Sequence, residues 1–485
     1  MKTKYTNFSI LLIIVALAFM SCSKDFLEEV PRLSQSNELS LSTYDGLQNA
    51  TIGAYSQLCS SNWYGAGFVI TADLKGGNAK RGPRNSGRYV NEYLWNNNAS
   101  ATSGLWNVAY STIARANNVI NAIDAGFTET GVTQEELDQL KGECLFLRAL
   151  SHWDLVRMYC QPYASGTSNM GVPVILITEN GYPARNTVGE VYTQVVSDLD
   201  IASQLLAPDN PRGNDKAWAT SWAATALLAK VYLYMGQWQN AAQKATEVIN
   251  SGEFELFTTA EYTTWDQGGY WGSGGNGDEI IFQVDGSQGN TAGGFWESIS
   301  YMVSPDGYGD IATSNDLLNL YEAGDVRADL FVNPAAYPAD HWTLKYPGRL
   351  GSNPPIDFNT PVLRLAEMYL IRAEALLNGA TISGGSALSD YNAIRTNRGL
   401  AAAGAAPVLN DIYNERRREL CFEGNELFDL ARTQRSLSRI DFNGSINKDV
   451  PFVVGGTPVE NYLWAMPIPQ AEIDANVNMV QNPEY

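Results

Sequence analysis

Residues 225–249, TALLAKVYLYMGQWQNAAQKATEVI, decide the fold. Ala223, Leu227, Val231, Tyr234 and Trp238 recur at the i, i+4, i+8, i+11 and i+15 spacing of one helix face. Gly236 interrupts the pattern, and Ala241, Ala242 and Ala245 then supply the small side chains that let two helices approach closely. The segment therefore predicts a helix, a turn at Gly236 and a second helix packed back on the first. Helical periodicity is equally strong at 105–124, 134–159, 188–207 and 361–378. In the last of these, Val362, Leu365, Ala366, Tyr369, Leu370, Ala373, Leu376 and Leu377 make a full apolar face.

The 217–250 pair resembles a tetratricopeptide unit, although no strict 34-residue period runs through the chain. Between the helical blocks lie long segments, about 60–104 and 251–360, rich in Gly, Asn, Pro and aromatics. EIIFQV at 279–284 is a strand signal there. Connections of this length are usually functional. The expectation is a mainly α chain. Helix pairs fall within about 40–60, 105–250 and 361–435, and the two irregular regions form a loop-rich ligand-binding part.

Composition removes several function classes. The 485 residues carry a net charge of −20, a poor match to nucleic-acid phosphates. Two histidines exclude a multi-His zinc centre and argue against a Ser-His-Asp triad. His152, in the apolar helix SHWDLVRMY, reads as a satisfied core histidine. No metal or cofactor is expected. Gly272, Gly274 and Gly277 satisfy GxGxxG but precede a strand with no helix after it, so the dinucleotide reading fails. The acids of Arg364/Glu367, Arg372/Glu374 and Glu415-Arg-Arg-Arg-Glu419 stand three or four residues from arginines, the spacing of solvated or interhelical ion pairs rather than of a glycosidase's paired carboxylates.

Trp106, Trp153, Trp218, Trp222 and Trp238 fall on helical stretches and read as core. Trp63, Trp95, Trp265, Trp271, Trp296 and Trp342 lie in the irregular segments, where an aromatic face can cover the C–H face of a sugar ring. LKGGNAKRGPRNSGRY (74–89) holds Lys75, Lys80, Arg81, Arg84 and Arg88 without an acid, and reads as a solvated loop or as a grip on ligand hydroxyls and carboxylates.

At the N-terminus, Lys2 and Lys4 precede an apolar run from Phe8 to Met20 broken only by Ser9. That run is too short to span a bilayer and suits a secretory signal. It ends at Ser21-Cys22, which resembles a lipoprotein processing site: residues 1–21 would be removed and Cys22 acylated. Ser-Lys-Asp-Phe then looks like a surface-export tag. The mature chain keeps 30 basic against 52 acidic residues, a net −22. Cys59, Cys144, Cys160 and Cys421 are too few for a disulfide framework and read as buried thiols.

Five stretches carry a resemblance: GECLFLRALSHWDLVRMYCQPY with MGVPVI (142–175), VLRLAEMYLIRAEAL (362–376), YNAIRTNRGL (391–400), ERRRELCFEGNELFDLAR (415–432) and WAMPIPQAEIDANVNMVQNPEY (464–485). Together with the lipoprotein start they resemble the SusD/RagB family across essentially the whole chain. Val477 and Glu484 depart from that family's usual Pro and Gly.

The resemblance implies one domain over 22–485, with four tetratricopeptide-like helix pairs and a variable loop region holding the ligand. It also implies a non-enzymatic, surface-exposed outer-membrane lipoprotein. Such a protein captures oligosaccharide and passes it to a SusC-like TonB-dependent transporter. By the same resemblance the quoted Arg and Glu residues fix helix packing. Ligand contacts are expected from the segment before the first long helix, at Trp63, Tyr64, Arg81, Tyr89, Trp95 and Asn96. The mid-chain loops would add Trp265, Tyr270, Trp271, Trp296 and Tyr301. Trp95, Trp296 and Arg81 lead. The alternatives are a peptide receptor of the RagB type and, behind it, a glycoside hydrolase.

Overall fold

The computed structural model describes residues 41–213, 215–263, 278–286, 295–348, 358–459 and 461–485. The signal segment, Cys22, Trp265, Tyr270, Trp271 and the glycine motif at 272–277 lie outside the described residues.

The chain is mainly α-helical. Its scaffold helices are α1 (Tyr44–Leu58), α2 (Gly67–Gly76), α3 (Ser103–Asp124), α4 (Gln134–Tyr159), α5 (Val188–Leu205), α6 (Ser221–Tyr234), α7 (Trp238–Ile249), α8 (Leu365–Leu377), α9 (Ala387–Asn397), α10 (Leu409–Leu420) and α11 (Glu426–Arg432). From α3 to α9 each packs on its successor, and α1 closes the row against α3. This is the stacked helix-pair arrangement expected of tetratricopeptide-like scaffolds. The α6–α7 turn is made at Gly236, whose φ of +67° a glycine adopts without Cβ strain. Ala241, Ala242 and Ala245 are fully buried in that pair.

Helix starts follow local chemistry. Thr133 Oγ1 accepts from the Glu136 amide at 3.2 Å while the Glu136 carboxylate accepts from the Thr133 amide at 2.8 Å. Thr187 and Glu190 repeat this capping box at α5. α4 is buried almost all round because α1, α3 and α5 pack on it. Its buried charged side chains, Glu143, Arg148, Asp154 and Arg157, are ion-paired. Arg148 forks onto Asp198 at 2.8 and 2.7 Å, and His152 donates from Nδ1 to the Arg148 carbonyl and accepts the Ile175 amide at Nε2. The four described cysteines are buried thiols.

Two expectations need correction. The segment 361–378 is not helical throughout: Thr360–Arg364 is a strand (β4), antiparallel to Ile280–Val284 (β2), and helix begins at Leu365. Pro361 and β-branched Val362 favour extension, and Arg364 stays extended as the residue before α8. The 60–104 region is also less irregular than expected. It contains α2, whose Phe68, Val69, Ile70 and Leu74 are buried, packed on α11.

The arginine-rich motifs form a buried ion network rather than solvated pairs. Arg364 contacts Glu279, Glu419 and Glu423, Arg398 contacts Glu279 and Glu419, and Arg327 contacts Asp325, Glu415 and Glu419. Arg432 binds Glu374 and Asp429, and Arg372 binds Asp390. These contacts tie β2 and β4 to the helices at the carboxy-terminal end of the row.

The last segment returns to α4. Met466 N–H donates to Met158 O at 2.9 Å, and Asn482 Nδ2 donates to Tyr159 O and Met466 O, both at 2.7 Å.

Candidate functional site

Two distant pieces of the irregular regions meet through one short ladder. Ala79–Arg81 (β1) pairs antiparallel with Ile311–Thr313 (β3), Arg81 opposite Ile311. The pairing lays residues 82–89, which follow β1, along residues 295–310, which precede β3. Asp310 is fully buried at the junction and accepts from the Ser86 amide at 2.5 Å, Ser86 Oγ at 3.1 Å and Arg88 at 3.4 Å. Arg84 donates to the carbonyls of Pro305 and Gly307.

On this frame stands a row of rings. The Arg88 guanidinium lies 4.2 Å from the Tyr308 ring centre, Tyr308 meets Tyr301 edge-on at 4.6 Å, and Tyr301 meets Trp296 edge-on at 5.2 Å. Arg88 also bonds Glu297 at 3.0 Å, a contact that raises its pKa further. Trp296 is 45% exposed, and Tyr301 and Tyr308 are half-buried. Tyr301 sits on the short helix Ile299–Val303, started by Ser298 Oγ accepting the Tyr301 amide. The return after it needs glycine: a Cβ on Gly307 would lie 2.3 Å from the Tyr301 carbonyl oxygen. Tyr89 adopts φ +56°, ψ +21°, a left-handed conformation that is uncommon outside glycine. Edge-to-face contacts of this kind contribute about 0.5–1.5 kcal/mol each beyond burial. They hold a projecting indole at low entropic cost.

The expected ligand residues divide. Trp296 and Tyr301 belong to the exposed row, Tyr89 is half-buried beside Arg88, and Arg81 is half-buried in β1. Asn96 is exposed and bonds Asn91 at 3.2 Å. Trp63, Tyr64 and Trp95 do not fit a surface role and are corrected to core. Trp63 Nε1 and Tyr64 OH both donate to Asp154 of α4, at 2.7 and 2.8 Å, with their rings stacked. Trp95 is fully buried, edge-on to Trp464 at 4.8 Å and 4.1 Å from Lys75 Nζ. No sugar face reaches these rings in this arrangement. Trp342 is likewise buried, donating to Gly309 O.

The basic run is neither a free loop nor an open cationic grip. Lys75 is buried against Asn97, Lys80 is paired with Asp340 and Asp441, and Arg84 and Arg88 are engaged as above. Tyr308 and Asp310 were outside the expected ligand set. The stretch Pro305-Asp-Gly-Tyr-Gly-Asp310 reads as turns, and only tertiary pairing brings it to Arg88. Among the described residues no group of three His, Cys, Asp or Glu side chains is placed to hold a metal ion. Nor is any described helix long and apolar enough to cross a membrane.

Residues 25–233 match a family model described as starch-binding associating with outer membrane, and residues 342–485 match the SusD family model. SusD-like protein P2 of Formosa agariphila is 27% identical, covering 99% of this chain and all of that one. A SusD superfamily protein from Bacteroides vulgatus superposes with a TM-score of 0.81 at 28% identity, over 91% of this chain and 99% of that one. Surface glycan-binding protein A from Bacteroides thetaiotaomicron, solved in complex with laminarihexaose, shares the fold with a TM-score of 0.74 at 20% identity, over 90% of this chain and 99% of that one. By these two models and by the shared helix-pair scaffold, the chain belongs to the SusD/RagB family.

Proposed function

We propose that this chain is a non-catalytic glycan-capture lipoprotein of the outer-membrane surface. In this reading Cys22 anchors it, and it delivers oligosaccharide to a SusC-like TonB-dependent transporter. The observation that carries the reading is the rigid ring row Trp296–Tyr301–Tyr308 capped by Arg88, with its indole open to solvent. Such a row offers an indole face on which a pyranose ring can stack. The family description and the laminarihexaose complex of the B. thetaiotaomicron relative support the same chemistry. Charge placement favours a neutral glycan. The cations of the 74–89 run are largely spent on internal partners, and the chain's net charge is −20. In this row both carboxylates, Glu297 and Asp310, are bound to Arg88, an arrangement suited to holding rings rather than to acid–base work.

Affinity electrophoresis of residues 23–485 through gels holding single polysaccharides tests the reading, with Trp296→Ala and Tyr301→Ala alongside. Retardation by a neutral polysaccharide, lost in Trp296→Ala without product release, is the expected result. Retention by no glycan, with binding of peptides instead, would move the assignment to the RagB-type alternative.

A further inference from the structure

A second aromatic concavity lies away from the ring row, under the connection between α5 and α6. It encloses about 360 Å³ and shares no lining residue with the row. Trp218, Trp222 and Phe254 form its apolar walls. Sequence periodicity assigns both tryptophans to the core, but the structure leaves each only half-buried. They differ in this from Trp63, Trp95 and Trp342, which are sealed.

The cleft is built and held. The Trp218 ring meets Tyr55 edge-on at 4.9 Å and carries the Arg212 guanidinium at 4.9 Å, and Arg212 Nε is bonded to buried Glu143 at 3.3 Å. The strand of chain bearing Trp218 is pinned on both sides. Gln283 N–H donates to Lys216 O at 3.0 Å, and Ala219 N–H donates to Tyr55 OH at 3.0 Å. Trp222 Nε1 is a buried donor without a hydrogen-bond partner. Around these rings stand the exposed carboxylates of Asp209, Asp215, Glu253 and Asp278, against the cations Lys216 and, on the Trp218 ring, Arg212.

Flat apolar walls flanked by hydrogen-bond acceptors match the amphipathic surface of a pyranose. A surplus of negative groups excludes uronate and sulfate. The volume lies at the low end of the roughly 300–1,000 Å³ usual for ligand pockets, room for a mono- or disaccharide unit. We infer that this cleft is a second carbohydrate subsite, selective for a neutral sugar and independent of the Trp296 row. Trp218 and Trp222 stack, and Asp215 accepts from a hydroxyl.

The test is ¹⁹F NMR on 5-fluorotryptophan-labelled protein (residues 23–485), with the Trp218 and Trp222 lines assigned by Trp→Phe variants. Probes are laminarihexaose, cellohexaose, maltohexaose, xylohexaose and hexagalacturonate. In a Trp296→Ala background the Trp218 and Trp222 lines are expected to shift saturably with at least one neutral hexasaccharide and not with hexagalacturonate. Adding Asp215→Asn, whose amide oxygen can still accept the Ala217 N–H that Asp215 Oδ1 holds at 3.0 Å while the second carboxylate oxygen is lost as an acceptor, is expected to weaken that titration at least fivefold. If the cleft lines stay fixed while the wild-type Trp296 line moves, the second subsite is refuted and the glycan-capture reading stands. If no line moves with any probe, both fall. A shift driven by hexagalacturonate, or one unchanged by Asp215→Asn, also overturns the inference.

Discussion

Replacing Glu419 by glutamine probes what holds the carboxy-terminal helices together. The Glu419 carboxylate is fully buried and accepts from Arg398 at 3.0 and 2.8 Å, Arg364 at 3.0 Å, Arg327 at 3.0 Å and Tyr262 OH at 2.9 Å. Burial alone would push its pKa up, but Arg398 and Arg364 override that and hold it well below the usual range. Glutamine keeps the volume and removes the charge on which three guanidinium groups converge. Removing one partner of a buried ion pair costs about 3–5 kcal/mol. Unfolding entropy of about 2.1 cal/mol/K per residue, summed over residues 23–485, is about 1 kcal/mol/K, so Tm should fall by about 3–5 °C. Glu247→Gln, which breaks the exposed Lys244–Glu247 pair, should cost under about 1 kcal/mol and move Tm by less than about 1 °C. Scanning calorimetry with denaturant midpoints measures both. The sign with pH follows from the depressed pKa. Glu419 stabilises fully above the unfolded value near 4.3 and loses that contribution as pH falls below it, so wild type and variant should converge toward pH 3. Equal Tm shifts for the two variants at pH 7 would refute the idea that this network stabilises the fold.

Three further outcomes are expected. Burial, with Arg148 nearby, lowers His152 to about 3, so the unfolded chain binds the extra proton between pH 6.5 and 3 and stability is lost as pH falls through that window. NMR of the imidazole should show no titration above pH 4 in the native protein. Burial likewise lowers Lys75 to about 7, so wild-type stability rises from about pH 7 to 10.5. Lys75→Met should abolish that rise in a pH series of denaturant midpoints. The thiols of Cys59, Cys144, Cys160 and Cys421 should ignore a thiol reagent in native protein of residues 23–485, and all four should react in guanidinium.

The helical scaffold was legible because its signals are local. The capping boxes at Thr133/Glu136 and Thr187/Glu190 and the small residues after Gly236 announce their elements within a few positions. β4 was not, since Thr360–Arg364 runs on into the apolar pattern of α8, and the local pull of Pro361 and Val362 toward extension is decided by pairing with β2, some 80 residues earlier. The ion pairs show the same limit. Spacing offered Arg364 with Glu367, whereas Arg364 binds Glu279, Glu419 and Glu423 across the fold. Loop aromatics were the hardest to sort. Composition cannot separate Trp63, anchored to Asp154 across 91 positions, from Trp296, which faces solvent. Trp218 and Trp222 fail in the opposite direction. Helical context suggested burial, but the α5–α6 connection opens a cleft over them.

The return of residues 466–482 to the end of α4 has a kinetic consequence. The carbonyls of Met158 and Tyr159 find their partners only in chain made more than 300 positions later. A ribosome delivers the amino-terminal half first, so the central helix emerges long before its final hydrogen bonds can close. Contacts of such sequence separation slow the search for the native state and leave apolar surface open meanwhile. Until residues 466–482 arrive, the carbonyls at the end of α4 lack these partners, and the surface they cover is open to aggregation.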